Sequence, residues 1–117
     1  MVDDDVSLRE ALTGLLTAYG FRTVAYASGH DLLNSPHLAD YAVFILDVQM
    51  PGMDGLQLQG EILGAGVAAP IIFLTSALDA DTRDKAMSMG AAAFVGKPFQ
   101  GGELLAHLNG ALGSAQA

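Results

Sequence analysis

The 117-residue sequence contains no cysteine, which excludes disulfide bonds and thiolate chemistry from this chain. No apolar run approaches the roughly 20 residues that a membrane-spanning helix needs, and no basic start followed by an apolar stretch indicates a signal peptide. Basic residues are scarce, because 5 lysines and arginines stand against 13 aspartates and glutamates. The resulting formal charge of −8 opposes binding to a nucleic-acid backbone. We therefore expect a cytoplasmic protein that binds neither membranes nor DNA through this chain.

Apolar residues, in contrast, are plentiful. Hydrophobic residues make up 51% of the sequence, which is too large a share for a disordered chain. A chain of 117 residues can bury one core but hardly a second, and neither a linker nor an internal repeat divides it. We therefore expect residues 1–117 to form a single domain.

Short apolar segments alternate with helical patterns along the chain. Five segments are interpreted as strands, the first of them apparently truncated: residues 1–2, 21–25, 43–47, 71–75 and 92–95. A helical pattern follows each strand, over about residues 7–19, 28–34, 56–62, 80–89 and 102–112. Strands that are apolar throughout and alternate with helices predict a parallel sheet with helices on both faces.

Polar side chains stand at the carboxyl ends of these strands. Asp47 ends the central strand, directly before a Val-Gln-Met-Pro-Gly-Met-Asp-Gly loop. An isolated aspartate at such a place more often caps a loop through the backbone. Here, however, Asp3 and Asp4 follow the first strand, Thr75 ends the fourth and Lys97 follows the fifth. Because ligands bind at the carboxyl ends of strands in open α/β sheets, these residues are candidates for one site.

Carboxylates that converge in this way need a cation to offset their repulsion. Hard oxygen ligands suit Mg²⁺ or Ca²⁺ better than zinc. Asp5 is interpreted as a solvated carboxylate at the start of the first helix rather than as a further ligand, since it would interact well with the helix dipole. Ser7 and Glu10 match a capping box for this helix, and Asp54 is predicted to cap the third helix.

Taken together, these residues resemble the receiver domain of two-component response regulators. The resemblance covers essentially the whole chain: an acidic pair after the first strand, an aspartate before Met-Pro-Gly-Met-Asp-Gly, a threonine ending the fourth strand and Lys-Pro-Phe after the fifth. Each piece is a weak match, but all of them in this order and spacing form a strong signal. The resemblance implies a flavodoxin-like α/β fold, a doubly wound five-stranded parallel sheet in the order 2-1-3-4-5.

The resemblance also implies a role for each candidate residue. Asp47 is the implied phosphoacceptor, and Thr75 and Lys97 are implied to contact the phosphoryl group. The implied cofactor is Mg²⁺, held by oxygen atoms around the phosphoacceptor: the carboxylates of Asp3, Asp4 and Asp47 and the main-chain carbonyl of Gln49. Thr75 and Phe94 form the implied switch pair, and Pro98 is implied to follow a cis peptide bond.

The implied function is signal transduction. A sensor histidine kinase donates a phosphoryl group from a phosphohistidine, and the surface of the fourth helix, fifth strand and fifth helix then changes and regulates a partner or output domain. Such a domain is a phosphoacceptor rather than an enzyme, with at most self-phosphorylation from phosphodonors and self-dephosphorylation. The chain is expected to be either a stand-alone receiver or a piece of a larger regulator.

The short first strand departs from the family pattern. In the implied order that strand lies inside the sheet, so its loss exposes the edges of two neighbours. Either the native start lies elsewhere or a second chain supplies the pairing, so a homodimer through this edge or through the fourth-helix surface stays open. The alternative function is a pseudo-receiver, an interaction or dimerisation module that is not phosphorylated. A flavin-binding protein fits less well because carboxylates replace the phosphate loop, and no lid or substrate pocket supports a hydrolase.

Overall fold

The computed structural model describes residues 1–76, 80–97 and 100–116, with side chains described through residue 112. In these ranges the strands are β1 (Phe44–Asp47), β2 (Ile71–Thr75) and β3 (Ala93–Gly96). The helices are α1 (Val6–Ala18), α2 (Gly29–Leu33), a short 3-10 helix (Leu38–Asp40), α3 (Gly55–Gly64), α4 (Ala80–Ser88) and α5 (Gly101–Gln116). Within the described ranges, no helix combines the length and the apolar character that crossing a membrane requires.

The sheet is parallel and has the predicted strand order. β2 lies between β1 and β3, and the residues that pair across the three strands include Leu46, Phe73 and Phe94. Val2 adds isolated parallel bridges to Leu46 on one side and to Tyr26 on the other. The order across the sheet is therefore Tyr26, Val2, β1, β2 and β3. This is the predicted order 2-1-3-4-5, with its first two positions reduced to single bridges.

The prediction of a strand over residues 21–25 was wrong. In this region the structure gives only Tyr26 a bridge, and residues 21–25 have no regular secondary structure. A strand needs a partner for its backbone groups, and among the described residues the backbone hydrogen bonds of residues 22–26 join them to Met1 and Asp3. Tyr26 N–H donates to the Met1 carbonyl at 2.9 Å, and Asp3 N–H donates to the Tyr26 carbonyl at 3.2 Å. These bonds suffice for one bridge.

Helices cover both faces of the sheet, as the doubly wound interpretation predicted. On one face, side chains of β1 and β2 pack against α3 and α2, with a core made of large buried residues: Val2, Leu32, Phe44, Leu46, Leu58, Ile62 and Phe73. On the other face, alternate strand residues pack against α1 and α5: Leu12, Leu16, Ile45, Ile72, Leu74, Leu104 and Leu108. Every residue of β1 and β2 is buried, so the carboxyl ends of both strands are anchored in the core.

The helix caps fix the loops that lead away from these strand ends. Asp54 caps α3 and forms a capping box with Gln57, which confirms the prediction for Asp54. The capping box predicted from Ser7 and Glu10 was wrong, because the N-cap of α1 is Asp5, two residues earlier, and the helix begins at Val6. Asp5 Oδ1 accepts hydrogen bonds from the Ser7 and Leu8 N–H groups at 2.9 and 3.3 Å. Asp5 is thus the helix-start carboxylate that the sequence indicated.

Candidate functional site

Three carboxylates converge at the carboxyl ends of β1 and of the segment that contains Val2. Asp47 ends β1, and its N–H donates to the Val2 carbonyl at 2.9 Å, which holds the two segments side by side. Asp3 and Asp47 are buried, with relative exposures of 1% and 4%, whereas Asp4 is exposed. Oxygen atoms of Asp3, Asp4 and Asp47 all lie within 4.8 Å of one another. The chain therefore brings three negative groups into one small, partly buried volume.

Lys97 provides a positive charge at the centre of this cluster. Its Nζ lies 2.9 Å from Asp3 Oδ2 and 3.2 Å from Asp47 Oδ1. The residue follows β3, and its N–H donates to the Thr75 carbonyl at 2.6 Å, so the neighbouring strand fixes its backbone. Both acids are thus linked through one ammonium group.

Burial and charge shift the pKa values of this cluster. Burial raises the pKa of Asp47, and the negative charge of Asp3 raises it further, although Lys97 and the Gln49 N–H act in the opposite direction. Burial by itself lowers the pKa of Lys97, but its hydrogen bond to Asp3 and the charges of Asp3 and Asp47 together raise it. The charged form of Lys97 is therefore favoured. The positive charge of Lys97 does not fully offset the effects of burial and of Asp3 on the ionised form of Asp47.

The loop after β1 and the start of α3 close around Asp47. Gln49 N–H donates to Asp47 Oδ1 at 3.3 Å, and Ser76 Oγ donates to Gln49 Oε1 at 3.0 Å, across the two strand ends. A Cβ atom added at Gly55 would lie 2.5 Å from the Asp47 carbonyl oxygen. The first residue of α3 can therefore pack directly on the site backbone only because it has no side chain.

The predicted switch residues lie on the two strands beyond β1. Thr75 is fully buried at the end of β2 and pairs with Gly96 in the sheet register. Phe94, on β3, is half-buried and packs on Phe73 with ring centroids 6.1 Å apart. Pro98 lies outside the described residues, so the cis peptide bond stays a prediction.

The donor set fits a small divalent cation. Oxygen ligands of Mg²⁺ lie about 2.1 Å from the ion, so two of them can be at most about 4.2 Å apart. The 4.8 Å spread of the Asp3, Asp4 and Asp47 oxygens needs only small adjustments to reach that geometry. Of these three carboxylates, that of Asp4 is the exposed one, so bound water could complete the coordination of the ion there. The pKa of Asp47 is raised, so a bound cation would also stabilise the ionised form of this carboxylate.

Sequence reasoning missed two residues at the site. Arg9 donates from Nη1 to the main-chain carbonyl of Asp3 at 2.7 Å. Its sequence signal was weak, since one basic residue early in a helix that follows an acidic run is usually a solvated charge. Gly55 was passed over as an ordinary residue after a cap, and its close approach to Asp47 depends on how α3 packs.

Comparison with known proteins gives consistent matches. A family model described as response regulator receiver domain matches residues 1–109. Nodulation protein W of Bradyrhizobium diazoefficiens is 38% identical over 105 residues, which are 90% of this chain and 46% of that protein. The C4-dicarboxylate transport transcriptional regulatory protein DctR of Rhodobacter capsulatus is 42% identical over 101 residues, or 85% of this chain and 51% of that protein. The chain spans about half the length of the curated relatives it matches.

A solved structure matches over nearly the whole fold. The crystal structure of the chemotaxis protein CheY4 of Vibrio cholerae aligns with a TM-score of 0.88 and 28% sequence identity. The alignment covers 95% of this chain and 94% of that chain. The helices and the sheet order described above are therefore those of a known fold.

Proposed function

Because this chain belongs to the response regulator receiver domain family, we propose that it receives a phosphoryl group on Asp47 in a two-component signalling pathway. The observation that carries this proposal is the environment of Asp47. It is a buried carboxylate at the end of the central strand, with the Lys97 ammonium 3.2 Å away and with two further carboxylates positioned to share a cation. Phosphoryl transfer depends on aligning a nucleophile and placing positive charge around the transferred oxygens.

Each residue of the site has a proposed task in the transfer. Mg²⁺, held by Asp3, Asp4, Asp47 and the Gln49 carbonyl, supplies positive charge to the phosphoryl oxygens when it is bound. We assign the attack on phosphorus to Asp47 Oδ2, because the hydrogen bonds described for this carboxylate, from Lys97 and the Gln49 N–H, end on Oδ1. The bond from phosphorus to the donor's histidine nitrogen breaks as the acyl phosphate forms.

The groups around Asp47 then hold the product. The Lys97 ammonium exchanges part of its contact with Asp3 and Asp47 for a phosphoryl oxygen, and the Thr75 hydroxyl donates to another. Both residues sit on strand ends whose backbones are joined by the bond from Lys97 N–H to the Thr75 carbonyl. Lys97 and Thr75 are therefore direct neighbours across the ends of β2 and β3.

The proposed response is a change at the surface formed by α4, β3 and α5. Phosphorylation adds close to two negative charges, and a bias of about 1.4 kcal/mol between two conformations changes their ratio tenfold. As Thr75 moves toward the phosphoryl group, Phe94 turns inward from its half-buried position. α4 is suited to follow, because within its described residues only Ala86 is buried. A sensor histidine kinase is the proposed donor, and an output domain or a second copy of the chain is the proposed partner of the changed surface.

Incubation with acetyl phosphate tests this function without knowledge of the kinase. The folded chain, with Mg²⁺ present, should gain one phosphoryl mass by intact-mass spectrometry. Neither Asp47→Asn nor a sample in which a chelator has removed Mg²⁺ should gain it. A folded wild-type chain that never gains this mass under these conditions would instead be a pseudo-receiver that acts by binding alone.

A further inference from the structure

Arg9 makes a contact with the acidic turn that the proposed transfer does not use. Its Nη1 donates to the main-chain carbonyl of Asp3 at 2.7 Å in a partly buried position. The chain has only 5 lysines and arginines against 13 acids, and this arginine is committed to a neutral carbonyl beside three carboxylates. That carbonyl belongs to the peptide that joins Asp3 to Asp4, so the contact fixes the orientation of this peptide.

The two acids of this turn are held in different ways. The Asp3 carboxylate is anchored at both oxygens, by the Asp5 N–H at 2.9 Å and by the Lys97 ammonium at 2.9 Å. The Asp4 side chain is exposed, and no hydrogen bond or ion pair to its carboxylate is found within the ranges that the structure describes. The direction of the Asp4 Cα–Cβ bond is therefore set by the backbone alone, and Arg9 holds the peptide that precedes it.

We propose that Arg9 is a positioning residue for magnesium binding, which holds the Asp3–Asp4 peptide so that the Asp4 carboxylate faces Asp47. This inference rests on the proposed function, because it concerns the cation of that same site. Arg9 acts here through geometry and not through its charge. A guanidinium suits this task because its planar donors are pre-organised, so less side-chain freedom is lost per hydrogen bond.

The geometric role and a simple charge effect have opposite signs. A positive charge near a cation site repels Mg²⁺, so removal of that charge should strengthen binding if nothing else changes. Loss of a group that positions a ligand should weaken binding instead. The sign of the change in Mg²⁺ affinity therefore distinguishes the two roles.

Titration calorimetry with Mg²⁺ on the purified chain provides the test. Arg9→Met should raise the dissociation constant for Mg²⁺ about tenfold, which is the lower end of the loss of metal affinity that removal of such a supporting contact causes. Arg22→Met removes the same charge near Val24 and Val43, at the amino end of the strands, and should leave the constant unchanged. In an Asp4→Asn background, Arg9→Met should cause little further weakening, because the ligand that Arg9 positions is already altered.

The outcomes separate failure of this inference from failure of the function. Equal or tighter Mg²⁺ binding by folded Arg9→Met, or the same weakening with and without Asp4→Asn, would overturn the role of Arg9. Absence of Mg²⁺ binding by the wild-type chain would contradict the proposed site as a whole. If Arg9→Met lacks a folded circular dichroism spectrum, Arg9→Lys decides, since its ammonium reaches one bond less far. Weaker binding by that variant supports the proposal, and unchanged binding contradicts it.

Discussion

Lys97 is the residue on which the stability of the carboxylate cluster depends most. Its ammonium contacts both Asp3 and Asp47, and its side chain is 19% exposed. Lys97→Met should therefore cost about 2 kcal/mol in the free energy of unfolding without metal, because two buried carboxylates lose a charged hydrogen-bond partner. Urea unfolding in a chelator measures this cost, and Lys85→Met on exposed α4 should change it little.

Magnesium should restore part of the stability lost in Lys97→Met, because a bound cation again offsets the two carboxylates. Equal unfolding free energies for Lys97→Met and Lys85→Met in the chelator would contradict the account of the cluster.

Asp47 should make the stability of the chain fall as the pH rises. Its pKa in the folded protein is raised above the ordinary 3.8, first by burial and then by the charge of Asp3. The folded state therefore binds this proton more tightly than the unfolded state, and ionisation of Asp47 costs folding free energy. The cost is absent well below pH 3.8, grows as the pH rises through the folded-state pKa and is constant above it.

Comparison with Asp47→Asn isolates this effect from the titration of other acids. The unfolding free energy of wild type minus that of the variant should become more negative from pH 3.8 toward neutral pH in a chelator. A difference that stays constant or moves in the positive direction would contradict the pKa shift. Mg²⁺ should reverse the difference, since the cation favours ionised Asp47.

At the scale of single elements, the start of α3 supports the site directly. A Cβ at Gly55 would lie 2.5 Å from the Asp47 carbonyl oxygen and 2.9 Å from Val48 Cα. Gly55→Ala must therefore displace either α3 or the end of β1, at a cost of about 1–3 kcal/mol. We also expect slower phosphorylation from acetyl phosphate, because the displaced backbone carries the nucleophile.

Gly14→Ala is the matched control for this substitution. A Cβ at Gly14 meets nothing within 4 Å, and the residue lies inside α1. The control should gain about 0.5–1 kcal/mol from lower flexibility of the unfolded chain and better helix propensity. Urea unfolding and phosphorylation rates of both variants test the contrast, and normal rates for Gly55→Ala would contradict the close packing.

Elements defined by local pattern were predictable, whereas those defined by distant partners were not. The strand Ile71–Thr75 was predicted with its observed bounds, because five buried apolar and β-branched residues settle the matter locally. The strand over residues 21–25 was predicted wrongly, since its backbone partner is a segment of three residues. The cap of α1 was misplaced by the choice between Asp5 and Ser7, which depends on a bond from the Asp5 N–H to Asp3 Oδ1.

The same division applies to the site. Asp3, Asp4, Asp47 and Lys97 could be placed together from the sequence because each was predicted at or just after the carboxyl end of a strand of one parallel sheet, and the structure brings them together. Arg9 could not, because which side of α1 meets the acidic turn follows from packing. Residues of a site can therefore be predicted from the sequence most readily when they lie at strand ends.

At the scale of the whole molecule, the proposed signal must cross from Asp47 to the surface formed by α4, β3 and α5. Beryllofluoride with Mg²⁺, a stable mimic of the phosphoryl group, should shift amide NMR signals of residues 80–97 and 100–112. Thr75→Val keeps the size and buried position of residue 75 but removes its hydroxyl. That variant should bind the mimic and show much smaller shifts around Phe94.

The control for this experiment is Asp47→Asn, whose spectrum the mimic should leave unchanged. Wild-type shifts confined to the loops around Asp47 would contradict transmission to the α4, β3 and α5 surface, while leaving phosphorylation itself intact.

Asp47 itself is proposed to carry the phosphoryl group. Borohydride reduces an acyl phosphate on aspartate to the alcohol of homoserine, and peptide mass spectrometry then locates the altered residue. After treatment with acetyl phosphate and Mg²⁺, we expect homoserine at position 47. Homoserine at position 3 or 4, or no reduced residue in a chain that has gained phosphoryl mass, would contradict it.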